Sequence, residues 1–160
     1  MAVSAYEVIS AQTLGSTAAS VTLSSIPQTY TDLVLVVQNA STVEDAVRLQ
    51  YNGDTGSNYS HTQIGADSGG TFSARGTSQT SLFNGYSSTG QNSHITHIMN
   101  YSNATTYKTS IVRSNKIAGD VRAITHMWRN TAAITSITVI QNGGSFSTGS
   151  TFTLYGIKAA

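Results

Sequence analysis

Apolar residues in this chain come in short runs, most of them alternating with polar ones, and Gly, Asn and Ser punctuate the runs. Eleven segments read as β-strands: residues 6–14, 20–23, 33–39, 46–51, 59–64, 80–83, 94–101, 107–114, 121–128, 134–140 and 151–157. One strand every dozen residues or so is the spacing of a β-sandwich or barrel. In the fourth segment Val47, Leu49 and Tyr51 share one face while Arg48 and Gln50 take the other, so this strand has one wet side. The third, Leu33-Val34-Leu35-Val36-Val37, is apolar on both faces and belongs centrally in a sheet or under a partner.

Turn chemistry fits that reading. Asn52-Gly53, Asn84-Gly85 and Asn142-Gly143 each follow a β-like run, and Asn-Gly readily adopts the positive φ of hairpin turns. The pair Asn84-Gly85, between Phe83 and Tyr86, is the sharpest of these signals. Pro27 marks a loop. Helical periodicity with start and stop signals is missing; one turn at residues 42–47, where Thr42 precedes Asp45 by three, is the only candidate. The polar stretch 65–76 is either a long surface loop or a polar edge strand, and with residues 87–93 it is a candidate contact region. The expected fold is all-β: an antiparallel β-sandwich in a single domain, 1–160.

Composition narrows the function classes. Ser and Thr supply 46 of 160 residues, only 15 are charged, and there is no Cys, hence no disulfide framework or thiolate metal site. A net charge of +1, with five Arg and three Lys scattered, argues against a nucleic-acid partner. Weak repulsion favours self-association. The longest aliphatic run is too short to cross a bilayer, so no membrane partner is expected. The first residues lack a basic, apolar leader, and synthesis in the cytoplasm without encoded export is expected.

Catalytic and ligand-binding constellations are sparse. His94 and His97 are an odd number of residues apart, so a strand sends them to opposite faces; a metal would need His61 or His126 and a carboxylate brought in by the fold. The segment Asn52-Gly53-Asp54-Thr55-Gly56-Ser57-Asn58 spaces oxygens loosely like a calcium loop but lacks the dense carboxylates, and a turn bonded to its own backbone explains it better. No Gly-x-Ser-x-Gly elbow, phosphate loop or dinucleotide fingerprint occurs. Sequons at Asn39, Asn58, Asn100 and Asn103 follow from composition. Tyr51, Tyr59, Tyr86, Tyr101, Tyr107 and Trp128 are candidates for stacking on sugars or anchoring an interface; Trp128 and Tyr155 are assigned to the core, Tyr86 less so. No catalytic, cofactor-binding or metal residue is assigned, and no enzymatic activity is expected.

Four stretches carry a resemblance. They are Tyr6-Glu7-Val8-Ile9, Arg48-Leu49-Gln50-Tyr51-Asn52-Gly53-Asp54-Thr55-Gly56-Ser57-Asn58-Tyr59-Ser60, Met99-Asn100-Tyr101-Ser102-Asn103-Ala104-Thr105-Thr106-Tyr107-Lys108-Thr109, and Ser150-Thr151-Phe152-Thr153-Leu154-Tyr155-Gly156-Ile157-Lys158. Together they resemble small structural proteins of tailed bacteriophages, notably those of aquatic bacteria and cyanobacteria. The resemblance implies a jelly-roll β-sandwich on the virion exterior: a capsid decoration or cement protein, a head fibre or a tail appendage. It implies a homo-oligomer, a trimer among the forms, with the major capsid protein or another virion protein as partner. The alternative is a carbohydrate-binding module of a tail fibre, holding host glycans on loop aromatics such as Tyr86.

Overall fold

The computed structural model describes residues 5–117 and 119–158. They form twelve strands: β1 (Tyr6–Thr13), β2 (Ser20–Leu23), β3 (Asp32–Asn39), β4 (Asp45–Tyr51), β5 (Tyr59–Asp67), β6 (Gly70–Gln79), β7 (Leu82–Ser87), β8 (Asn92–Met99), β9 (Lys108–Lys116), β10 (Asp120–Trp128), β11 (Ile137–Gln141) and β12 (Thr151–Ile157). Among the described residues there is no helix, so residues 42–47 run into β4 instead of forming a turn. All pairings are antiparallel, in two sheets. The large sheet runs β1-β12-β3-β8-β9-β10-β5-β6 and the small one β2-β11-β4-β7. The two pack face to face as a β-sandwich, as the alternation predicts.

Burial follows the period-two pattern. Along β8 Asn92, His94, Thr96 and Ile98 are buried while Ser93, Ile95, His97 and Met99 are not. Leu33, Leu35 and Val37 of β3 meet Val47, Leu49 and Tyr51 of β4 in the main core, with Trp128, Tyr59, Tyr101, Phe146 and Phe152. Tyr59 stacks on Trp128 at 6.2 Å between ring centroids and Tyr51 meets Trp128 edge-on at 5.5 Å, geometries that suit aromatic quadrupoles. The doubly apolar β3 is indeed central, third in the large sheet, and Val34 on its outer side is only 8% exposed. Tyr155 departs from expectation: its parity in β12 places it on the outer face, half-buried and edge-on to Tyr6 at 6.3 Å.

Two local signals resolve differently from their sequence reading. Asn84-Gly85 turns no hairpin. It sits inside β7 as an irregularity opposite β4, where the register shifts between Ala46 and Arg48, and Gly85 takes φ 104°. Asn52 and Gly53 do adopt positive φ (53° and 66°), but they lead from β4 in one sheet to β5 in the other. Of the two readings of the stretch 65–76, the polar edge strand holds: β5 continues to Asp67, a two-residue turn of Ser68 and Gly69 follows, and β6 returns along it to form the sheet edge.

Candidate functional site

Three regions hold the residues with chemical potential: a polar seam inside the sandwich, an aspartate hub at one end, and the surface around β5, β6 and β10.

The seam lies where β7 crosses the inner face of β8, β9 and β10. His94 and His97 point to opposite faces, as their spacing requires. His94 is fully buried; its Nδ1–H donates to the Asn84 carbonyl at 2.7 Å, which leaves Nε2 to accept from the Ser87 hydroxyl at 3.2 Å. Asn39 Nδ2 donates to the same hydroxyl at 2.7 Å, and Thr96 donates to Asn84 Oδ1 at 2.8 Å. His126 repeats the device one strand pair away: Nε2–H donates to the Phe83 carbonyl at 2.7 Å and Nδ1 accepts from Ser110 at 3.1 Å. Two neighbouring carbonyls of β7 are therefore held by imidazoles from the opposite sheet. Burial pushes both imidazoles down to about 4, so they are neutral at pH 7. His61, partly buried against Phe83, is lowered by burial and by Arg48. His97 lies outside, 2.9 Å from the Asp32 carboxylate.

Each Ser–His contact superficially resembles a nucleophile and its base. Neither can act as one, because the serines and histidines are sealed from solvent and the second imidazole nitrogen faces a carbonyl where a triad would place a carboxylate. They are structural ties across the sandwich.

The aspartate hub is the loop after β4. Asp54 accepts from Gly56 N at 2.8 Å, Asn58 Nδ2 at 2.9 Å and Trp128 Nε1 at 2.7 Å. Burial alone would raise its carboxyl, but the bonds from Asn58, Trp128, Gly56 and Asn130 outweigh that and hold it below the usual range. Its oxygens are committed to fixing the loop and the tryptophan, the turn reading of this segment. Among the described residues no three His, Cys, Asp or Glu side chains converge as metal ligands would.

In the third region Arg122, in phase with the buried residues of β10 and largely shielded, is the centrepiece. Its guanidinium donates twice to Asp120, at 2.7 and 2.6 Å, and once to Gln63 at 2.7 Å. The rings of Phe72 and Tyr86 lie 4.4 and 4.7 Å from it. Tyr86 belongs to β7 and not to a turn; with one ring face on Arg122 and Phe83 edge-on at 5.1 Å, it is no free stacking platform. Beside it a polar cleft of about 250 Å³ is bounded by Glu44, Asp45, Asp67, Lys116 and Asp120, with Lys116 bonded to Glu44. The second contact candidate, residues 87–93, is stapled inward: Asn92 donates to the carbonyls of Asn39, Ser88 and Gly90, leaving Thr89 and Gln91 exposed.

Sequence reasoning missed the outer face of the large sheet. Val8, Ile64, Ile111 and Val121, each about half exposed or more, project there with Ile95 and Ala123 between them. A shallow hollow of about 520 Å³ lies among Ile64, Ala66, Thr71, Val121 and Ala123. The signal lay in the odd-numbered apolar residues of β9 and β10, but their direction depends on which face the small sheet covers. Of the sequons, Asn39 is fully buried within the seam. Comparison of the chain with protein-family models, with curated proteins and with solved structures finds no match.

Proposed function

We propose that this protein is a non-enzymatic structural component of a tailed-phage virion, a decoration or cement protein on the major capsid protein lattice, and that its sandwich is a jelly roll. The connectivity supports the fold reading. The strands β1-β12-β3-β8 face β2-β11-β4-β7, and the chain steps from sheet to sheet as it would in two interleaved Greek keys. Two hairpin-like additions, β5–β6 and β9–β10, then widen one sheet to eight strands.

The observation that carries the functional reading is the uncovered outer face of that sheet. It bears exposed Val8, Ile64, Ile111 and Val121 among Ser and Thr, with few charges, a surface suited to lying on another protein. Docking on a repeating lattice multiplies weak contacts, so no deep pocket is needed. Its resemblance to phage structural proteins points the same way. A second reading, a glycan-binding module of a tail appendage, rests on the polar cleft of Glu44, Asp45, Asp67 and Asp120, and predicts saturable sugar binding there.

Immunogold labelling of intact virions of the phage encoding this chain tests the proposal. Label over the head supports decoration. Label confined to tail or fibres overturns it in favour of host attachment, and an unlabelled particle overturns both.

A further inference from the structure

Sheets end in edges, and an edge offers unpaired backbone groups to any passing strand unless something blunts it. Three of the four edges of this sandwich are blunted. β2 is only four residues long. β7 is kinked at Asn84-Gly85, and its Phe83 and Asn84 carbonyls are already taken by His126 and His94. β1 is interrupted by a register shift between Val8 and Ser10 and carries Glu7 paired with Lys158 at 2.5 Å.

The fourth edge is different. β6 pairs with β5 residue for residue from Gly70↔Asp67 to Gly76↔His61, and only beyond that, at Thr77 and Ser78, does the register break. Over these seven straight residues there is no Pro, no Lys, no acidic side chain and one Arg, Arg75. Asp67 and Gly70 close a two-residue turn, so their backbone groups face each other; strict alternation then turns the N–H and C=O groups of Thr71, Ser73 and Arg75 outward.

The geometry points to a second copy of this chain as the occupant, with β6 pairing antiparallel to its own symmetry mate about a two-fold axis at Ser73. Several features converge on that register. Ser73 is the midpoint of the straight stretch, so a two-fold there uses all of it, from Gly70 opposite Gly76 to Gly76 opposite Gly70. It places outward-facing groups opposite outward-facing groups, which gives about six new backbone hydrogen bonds. Arg75 falls opposite Thr71 and not opposite its own copy, so no like charges meet. On the inner side Phe72 falls opposite Ala74, a large ring beside a small residue. A net charge of +1 adds little repulsion between copies. Because the contact is isologous it closes as a dimer and does not propagate into fibres. The pairing would join two eight-stranded sheets and extend the apolar outer faces side by side. It gives the self-association expected of the proposed role a definite interface, yet stands whether or not the dimer sits on a virion.

Light scattering and analytical ultracentrifugation of the full chain test it directly. The expected result is twice the chain mass. Ser73→Pro removes an N–H that does not bond β5 and should give a folded monomer, with unchanged Trp128 fluorescence. Thr71→Arg keeps every backbone group but sets the introduced guanidinium against Arg75 of the second copy and should weaken the dimer about tenfold, whereas Thr71→Glu should tighten it several-fold by pairing with that Arg75. These two variants decide the matter even if the proline variant fails to fold. A wild-type monomer at about 100 μM, a trimer, or a dimer indifferent to both Thr71 variants would overturn the proposal.

Discussion

Lowering the pH from 7.5 to 4.5 should strip this protein of much of its stability through two residues that never touch solvent. His94 and His126 titrate near 6.5 when the chain is unfolded and at about 4 when it is folded, because the sandwich interior disfavours the imidazolium. Between those values the unfolded chain binds protons that the folded chain refuses, so the stabilisation is fully present above pH 6.5 and is lost as the pH falls toward 4. Burial sets the sign, and the bonds to the Asn84 and Phe83 carbonyls, which favour the charged forms, do not reverse it. Asp120 favours the charged His94 only weakly, and the neighbouring His61 opposes charging of His126. Each histidine accounts for about 3 kcal/mol over the full shift, and the pair for about 5 kcal/mol between pH 7.5 and 4.5. That is comparable with the whole stability of many domains. The single Trp, buried and bonded to Asp54, reports unfolding by fluorescence in urea titrations at half-unit pH steps. Asp54, whose carboxyl is lowered in the folded state, adds its own loss only below about pH 4, where its unfolded form protonates, so the two windows separate. His126→Gln, which keeps a donor for the Phe83 carbonyl, should remove about half the dependence between pH 6.5 and 4.5. A stability that is flat within about 1 kcal/mol over that range would refute the buried, neutral assignment.

Other perturbations probe the same framework. Gly85→Ala should cost about 2–4 kcal/mol in urea titrations, since φ 104° is strained for any L side chain and the added carbon would come within 2.8 Å of Ser114 Cβ. Asp54→Ala should cost about 2–4 kcal/mol and red-shift Trp128 emission, because the indole N–H, the Asn58 amide and Gly56 N lose their acceptor together. Asp120→Ala leaves the shielded Arg122 guanidinium without its counter-charge and should destabilise by about 3–5 kcal/mol, more than Lys116→Ala, whose Glu44 partner is exposed. If both lysine and aspartate variants melt alike, Arg122 is better solvated than its contacts imply.

Much of the architecture is local in origin and therefore legible along the chain. Alternation at Val47, Leu49 and Tyr51, continuous apolarity at residues 33–37 and the odd spacing of His94 and His97 are consequences of a strand's two-residue period, which needs no knowledge of the neighbours. Hence eleven of the twelve strands, the sandwich and the opposed histidines could be read in advance, whereas β6, short of apolar residues, carried too little alternation and read equally as a loop. What a residue does between strands is not local. Asn84-Gly85 has the chemistry of a hairpin turn, yet it serves as a kink because His94 and His126 from the other sheet capture the carbonyls there. Tyr155 alternates like a core residue, but the small sheet covers the other face of β12.

The sequence by itself determined that this is an all-β, weakly charged, cysteine-free sandwich, because hydrophobic burial and strand geometry act on neighbours two residues apart. The tertiary structure alone decided which face of each strand is inside, which polar side chains become buried ties, and which of four edges stays open at β6. Those outcomes depend on residues such as His126 and Phe83, 43 positions apart in the chain, meeting across the two sheets, and no local pattern encodes that meeting.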